Sequence, residues 1–126
     1  MRLNELTVKF VKPNFADEYE EALRYDELKD LSEEEWIDIA KTGKPIKFEK
    51  LNNVGNTTKN SIADAKEHWK EVEAEKKERF LKHKGPVEMP IVLKINQKYD
   101  LLSGNTRLTG CIINGIDPTV WLIELK

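Results

Sequence analysis

At 126 residues the chain has the length of one domain, residues 1–126. Its formal charge of −2, with 35% charged and 39% hydrophobic residues, excludes a uniformly basic nucleic-acid binder, and no apolar run reaches the roughly 20 residues of a membrane span. One cysteine, Cys111, excludes an internal disulfide, and no Cys/His cluster has the spacing of a metal site. Met1–Glu5 do not open the apolar core of a signal peptide, so a cytoplasmic protein is expected. The charge is uneven: residues 1–50 hold 13 Asp/Glu against 9 Lys/Arg, a net of −4, and residues 51–126 hold 10 against 12, a net of +2.

Leu3, Leu6, Val8, Phe10 and Val11 alternate loosely and predict a first strand over residues 3–11, ended by Lys12-Pro13-Asn14. Phe15–Leu31 is acidic with scattered apolar residues, and the four-residue spacing of Tyr19 and Leu23 predicts one short helix. Asp17, Glu18, Glu20 and Glu21 fall near its start, where the dipole favours carboxylates, and read as a solvated face rather than a metal or acid site. Ser32-Glu33-Glu34-Glu35 is a capping box opening a second helix, which Gly43 stops before Pro45. Ile46 and Phe48 alternate with Lys47 and Glu49, as in a short strand.

Residues 52–60 are a polar loop. A long charged helix is predicted from about Ser61 to Lys84, stopped by Gly85-Pro86. Its last turns hold Lys76, Lys77, Arg79, Lys82 and Lys84. Such residues complement the negative end of the dipole; the functional alternative is a grip on a nucleic-acid backbone. The tripeptide Gly-Asn-Thr occurs at Gly55–Thr57 and at Gly104–Thr106, which reads as local turn chemistry, or as two phosphate loops. Trp36, Trp69 and Trp121 are expected as core anchors.

The clearest order lies in the last forty residues. Pro90–Ile95 is a nearly continuous apolar strand, Asn96-Gln97-Lys98 turns the chain, and Tyr99–Leu102 returns as its partner. Ser103-Gly104-Asn105-Thr106 then opens a helix with Leu108, Cys111 and Ile112 on one face, ended by Asn114-Gly115, and Pro118–Ile123 is a last strand. Free amides and the positive end of the dipole make such a strand–turn–helix junction an anion site, to which Arg107 adds a fork of donors suited to phosphate. The candidate phosphate residues are therefore Ser103, Gly104, Asn105, Thr106 and Arg107. The expected fold is α+β, a small mixed sheet with packed helices and the long charged helix as an insertion.

Met89–Leu125 resembles the ParB/sulfiredoxin superfamily, through Pro90-Ile91-Val92, the paired strand Tyr99–Leu102, the Gly-x-x-Arg turn Gly104–Arg107, Gly115, and Pro118-Thr119-Val120. The resemblance implies a nucleotide phosphate site at Gly104–Arg107, filled by ATP, ADP or CTP with Mg²⁺. Sulfiredoxins carry a Cys-His pair between the Gly and the Arg, and ParB proteins carry Glu-Arg; here the pair is Asn105-Thr106, which argues against either activity. A third branch, resembling free serine kinases, implies an ATP- or ADP-dependent phosphotransferase, which would want a carboxylate as base and for Mg²⁺, with Asp100 and Glu49 as the candidates. The alternatives are a DNA-binding or nuclease-like accessory protein, and a non-catalytic partner-binding module of phage or mobile-element type.

Overall fold

The computed structural model describes residues 9–51, 54–55, 67, 70, 87–113 and 116–125, with the side chains of Asn105 and Thr106 left aside. Most of the predicted first strand, most of the 61–84 helix, Trp69, and the basic candidates Lys76, Lys77, Arg79, Lys82 and Lys84 lie outside the described residues. Within the 61–84 segment Glu67 and Lys70 are helical, and Lys70 Nζ lies 3.2 Å from Glu67 Oε1.

The architecture is α+β. In chain order it comprises strand β1 (Phe10–Val11), a 3₁₀ turn (Phe15–Glu18), helices α1 (Tyr19–Ala22) and α2 (Glu33–Ala40), strand β2 (Lys44–Lys47) and a second 3₁₀ turn (Phe48–Lys50). Strands β3 (Val87–Glu88), β4 (Ile91–Ile95) and β5 (Lys98–Ser103), helix α3 (Asn105–Ile113) and strand β6 (Thr119–Leu125) follow. The main sheet has the order β2-β6-β4-β5, with β4 parallel to β6 and antiparallel to β5, and β6 antiparallel to β2. β1 and β3 form a small parallel pair beside it.

The two faces of the main sheet carry two cores, and the period of two along the strands separates them. Ile91, Leu93, Trp121 and Ile123 join Phe15, Ala22, Leu28, Trp36 and Ala40 on one face. Val92, Val120 and Leu122 join Leu108, Phe48, Leu51 and Val54 on the other. β4 reads as unbroken Ile-Val-Leu because it lies between two strands and is covered on both sides. Two indoles fasten the 15–40 segment: Trp36 Nε1 donates to the Phe15 carbonyl at 2.7 Å, and Trp121 Nε1 donates to the Ala40 carbonyl at 2.8 Å. A buried indole N–H needs such a partner.

Several local expectations take physical form here. Ser32 Oγ accepts from the Glu35 amide at 3.1 Å while Glu35 Oε1 accepts from the Ser32 amide at 2.9 Å, so the capping box is complete. The β4–β5 hairpin turns at Asn96 (φ 50°) and Gln97 (φ 69°), the left-handed pair that a two-residue hairpin requires. The acidic helix is shorter than its sequence span: α1 ends at Ala22, and turns carry the chain to Asp30. Phe48 does not continue β2; it begins the 3₁₀ turn, its amide donating to the Pro118 carbonyl at 3.0 Å and its ring buried.

Candidate functional site

The site is built where β5 gives way to α3. Val92 pairs with Leu101, but Ile91 pairs with Ser103, so β5 holds one extra residue at this point. This β-bulge changes the parity of the strand. Unbulged, Ser103 would share the face of Leu101. Bulged, it stands opposite Ile91, on the face that packs against Phe15, Ala22 and Trp36. Gly104 follows with φ +94°, and a Cβ there would lie 2.7 Å from Pro90 Cβ and 2.8 Å from Pro90 Cα. Only glycine combines that backbone angle with that approach. Asn105 then opens α3, whose Leu108 amide donates to the Gly104 carbonyl at 2.9 Å.

Glu18 completes the site, and it is not among the residues the sequence marked for chemistry. It lies three residues after the buried Phe15 and four before the buried Ala22, on the stripe that faces the sheet. The expectation of a solvated acidic face holds for the exposed Asp17 and Glu20; Glu18 departs from it and is half-buried. That stripe position was the available signal: a carboxylate at an apolar spacing of 3 and 4.

Burial pushes the Glu18 carboxyl above its ordinary range; Ser103 and the Arg107 guanidinium draw it back, while the Glu21 and Glu88 carboxylates push it further up. Ser103 lies near enough to favour ionised Glu18, yet its Oγ is buried and closes no hydrogen bond of good geometry.

Arg107 reaches across from the first turns of α3 and its Nη1 donates to the Glu88 carbonyl at 3.2 Å. Among the described residues no carboxylate comes within 4.0 Å of the guanidinium, so its direct anchor is a neutral oxygen, with the Glu18 carboxylate acting on it from further off. Glu88 is itself held: its Oε1 accepts from the Asn14 amide at 2.6 Å, tying β3 to the 3₁₀ turn that carries Glu18. Four residues after Arg107 on α3, Cys111 is buried, and burial raises its thiol to about 11, with Arg107 opposing. It is a structural thiol, as its place on the core face of α3 implied.

The structure thus brings together Ser103, Gly104 and Arg107 with the backbone of Asn105 and Thr106. The side chains of the last two lie outside the described residues. Asp100 is on β5 opposite Leu93, with Gly55 bridged beside it, and its half-buried side chain shares the face of the Glu18 segment. Glu49 is exposed in the turn after β2, at the opposite edge of the four-stranded sheet, about 14 Å away by strand spacing alone. Among the described residues no three His, Cys, Asp or Glu gather in a group that could hold a metal ion. Among the described residues no helix is long and apolar enough to cross a membrane.

No protein-family model matches the chain, and neither a curated protein nor a solved structure matches it.

Proposed function

We propose that the chain is a nucleotide- or phosphate-binding domain of the ParB/sulfiredoxin type, which takes its anion at the junction of β5 and α3. The observation that carries this reading is the state of Arg107: a half-buried guanidinium fixed by one backbone carbonyl, with no acid paired to it among the described residues. An arginine so placed is pre-oriented and keeps most of its five donors for a planar oxyanion. Gly104 supports the reading in that its φ of +94° and its close approach to Pro90 fix the turn from which the α3 amides start. The opening amides of α3 supply the positive end of a helix dipole beside the same point.

ATP, ADP and CTP, each with Mg²⁺, are the ligands to try. Phosphoryl transfer is the reaction such a site would serve, since it asks chiefly for positioning and charge neutralisation. Isothermal titration with the three nucleotides tests the proposal: one of them binds the wild-type protein, and Arg107→Ala weakens it at least about tenfold, the loss of a charge-assisted hydrogen bond. Folded protein that binds none of them refutes it. A partner-binding module would instead keep its protein partner in the Arg107→Ala variant.

A further inference from the structure

The four-stranded sheet ends in β2 on one side and β5 on the other, and the two outer edges are closed by different means. On β2 the closure is chemical. The Trp121 amide donates to the Pro90 carbonyl at 2.8 Å, so the backbone of Trp121 faces β4; Pro45, its partner in β2, turns its own backbone to the outer edge. Proline has no N–H to offer there. On β5 the closure is a piece of the chain itself. The Gly55 amide donates to the Tyr99 carbonyl at 2.8 Å, and the Leu101 amide donates to the Gly55 carbonyl at 3.0 Å, a parallel bridge one residue long beside Asp100. The Tyr25 hydroxyl donates to the Leu101 carbonyl at 3.3 Å. Buried Val54 anchors the bridge in the core of Val92, Leu101 and Leu108, and a Cβ on Gly55 would collide with Asp100 Oδ1.

We propose that Val54–Gly55 is an edge guard, and that the edge it covers is a latent interface for a second copy of this chain, pairing β5 with β5 antiparallel about Tyr99. The two states exclude one another, because the Tyr99 carbonyl that Gly55 holds is the one a partner strand would take. A guard of one residue opens without unfolding the sheet behind it. Charge selects the second copy as the occupant. The two-residue turn at Asn96-Gln97 makes Ile95 and Lys98 a bonded pair, so Lys98 and Asp100 turn their backbones to β4 and Tyr99 turns its own outward. Two copies paired about Tyr99 then set Lys98 of each opposite Asp100 of the other, in the non-bonded positions where side chains come closest. Neither Lys98 nor Asp100 has an ion pair within the chain among the described residues. Pairing about Asp100 would instead oppose two like carboxylates, which disfavours that register.

Gly55→Pro removes the donor of the first bond and sets a ring against Asp100, and sedimentation equilibrium of the full chain is the readout. Wild-type protein sediments as a monomer at micromolar concentration, and Gly55→Pro, with native circular dichroism, as a dimer. Adding Lys98→Asp or Asp100→Lys to Gly55→Pro weakens the dimer at least about fivefold, since each turns two attractive pairs into two repulsive ones. Mixing the two charge variants restores a dimer of one copy of each. A folded Gly55→Pro that stays monomeric overturns the proposal, as does a dimer indifferent to both charge changes or a wild-type dimer that Gly55→Pro leaves unchanged. Should Gly55→Pro fail to fold, Tyr99→Cys in the otherwise unmutated chain decides. The two copies of position 99 would lie about 5.5 Å apart between Cα atoms, within disulfide reach, so oxidised glutathione traps a dimer whenever the guard opens. Cys111 is buried and does not compete. Lys98→Asp slows that trapping at least about fivefold. No trapping, or equal trapping with and without Lys98→Asp, overturns the proposal.

Discussion

Replacing Gly104 by alanine perturbs the junction at its narrowest point. At φ +94° an L-residue lies in the left-handed half of backbone space, which costs about 1–2 kcal/mol. The new methyl also meets Pro90, 2.7 Å from Cβ and 2.8 Å from Cα. Neither atom belongs to a flexible side chain, and Pro90 is pinned because its carbonyl accepts from the Trp121 amide at 2.8 Å. Overpacking of this kind costs about 1–3 kcal/mol, so the sum is about 3 kcal/mol. For a chain of 126 residues that lowers the melting temperature by about 10 °C. Urea unfolding followed by circular dichroism is the assay, with a lower midpoint at unchanged slope. Gly104→Asn separates the two causes. Asparagine tolerates positive φ but still carries a Cβ, so its loss falls between those of glycine and alanine. An alanine variant with the wild-type midpoint would refute the reasoning from both angle and contact.

Two further outcomes follow from the electrostatics. Cys111, with its thiol raised to about 11 from an ordinary 9.0, holds about 100-fold less thiolate at pH 8 than an exposed cysteine, so a disulfide reagent labels it only after the protein is unfolded in urea; rapid labelling of the native protein contradicts this. Glu35 titrates below its ordinary 4.5 because it accepts the Ser32 amide, so the stability it contributes is present above that ordinary value and is lost as pH falls through the lower folded one. Ser32→Ala removes the reciprocal bond and brings the Glu35 midpoint, read by carboxyl NMR, back toward 4.5.

What the sequence disclosed was mostly local chemistry. The capping box at Ser32–Glu35, the Asn96-Gln97 turn, the unbroken Ile91-Val92-Leu93 run and the glycine opening α3 each depend on neighbours within a few positions, and each appears in the structure. The candidate site was legible as far as the same rule extends: Ser103, Gly104 and Arg107 meet because the turn is one element. Glu18 was hidden by distance in sequence, since its neighbours Ser103 and Arg107 lie more than eighty residues on. The bulge was hidden for a different reason. Tyr99-Asp100-Leu101-Leu102-Ser103 contains no glycine or proline to announce an extra residue, and only the pairing with Val92 and Ile91 reveals it. β3 was likewise silent, because its two residues become a strand only by finding β1 across the chain.

The position of β6 bears on how the molecule comes into being. It separates β2 from β4, yet it follows both in the chain. During synthesis the β4–β5 ribbon can zip by itself, while β2 waits for a neighbour that the ribosome delivers some seventy residues later. In that interval the Pro45 and the exposed Lys44 and Lys47 of β2 discourage strangers from docking on the waiting segment. A nascent chain halted before Thr119 lacks the one strand that joins β2 to β4, so the two parts of the sheet have no shared edge until β6 is made.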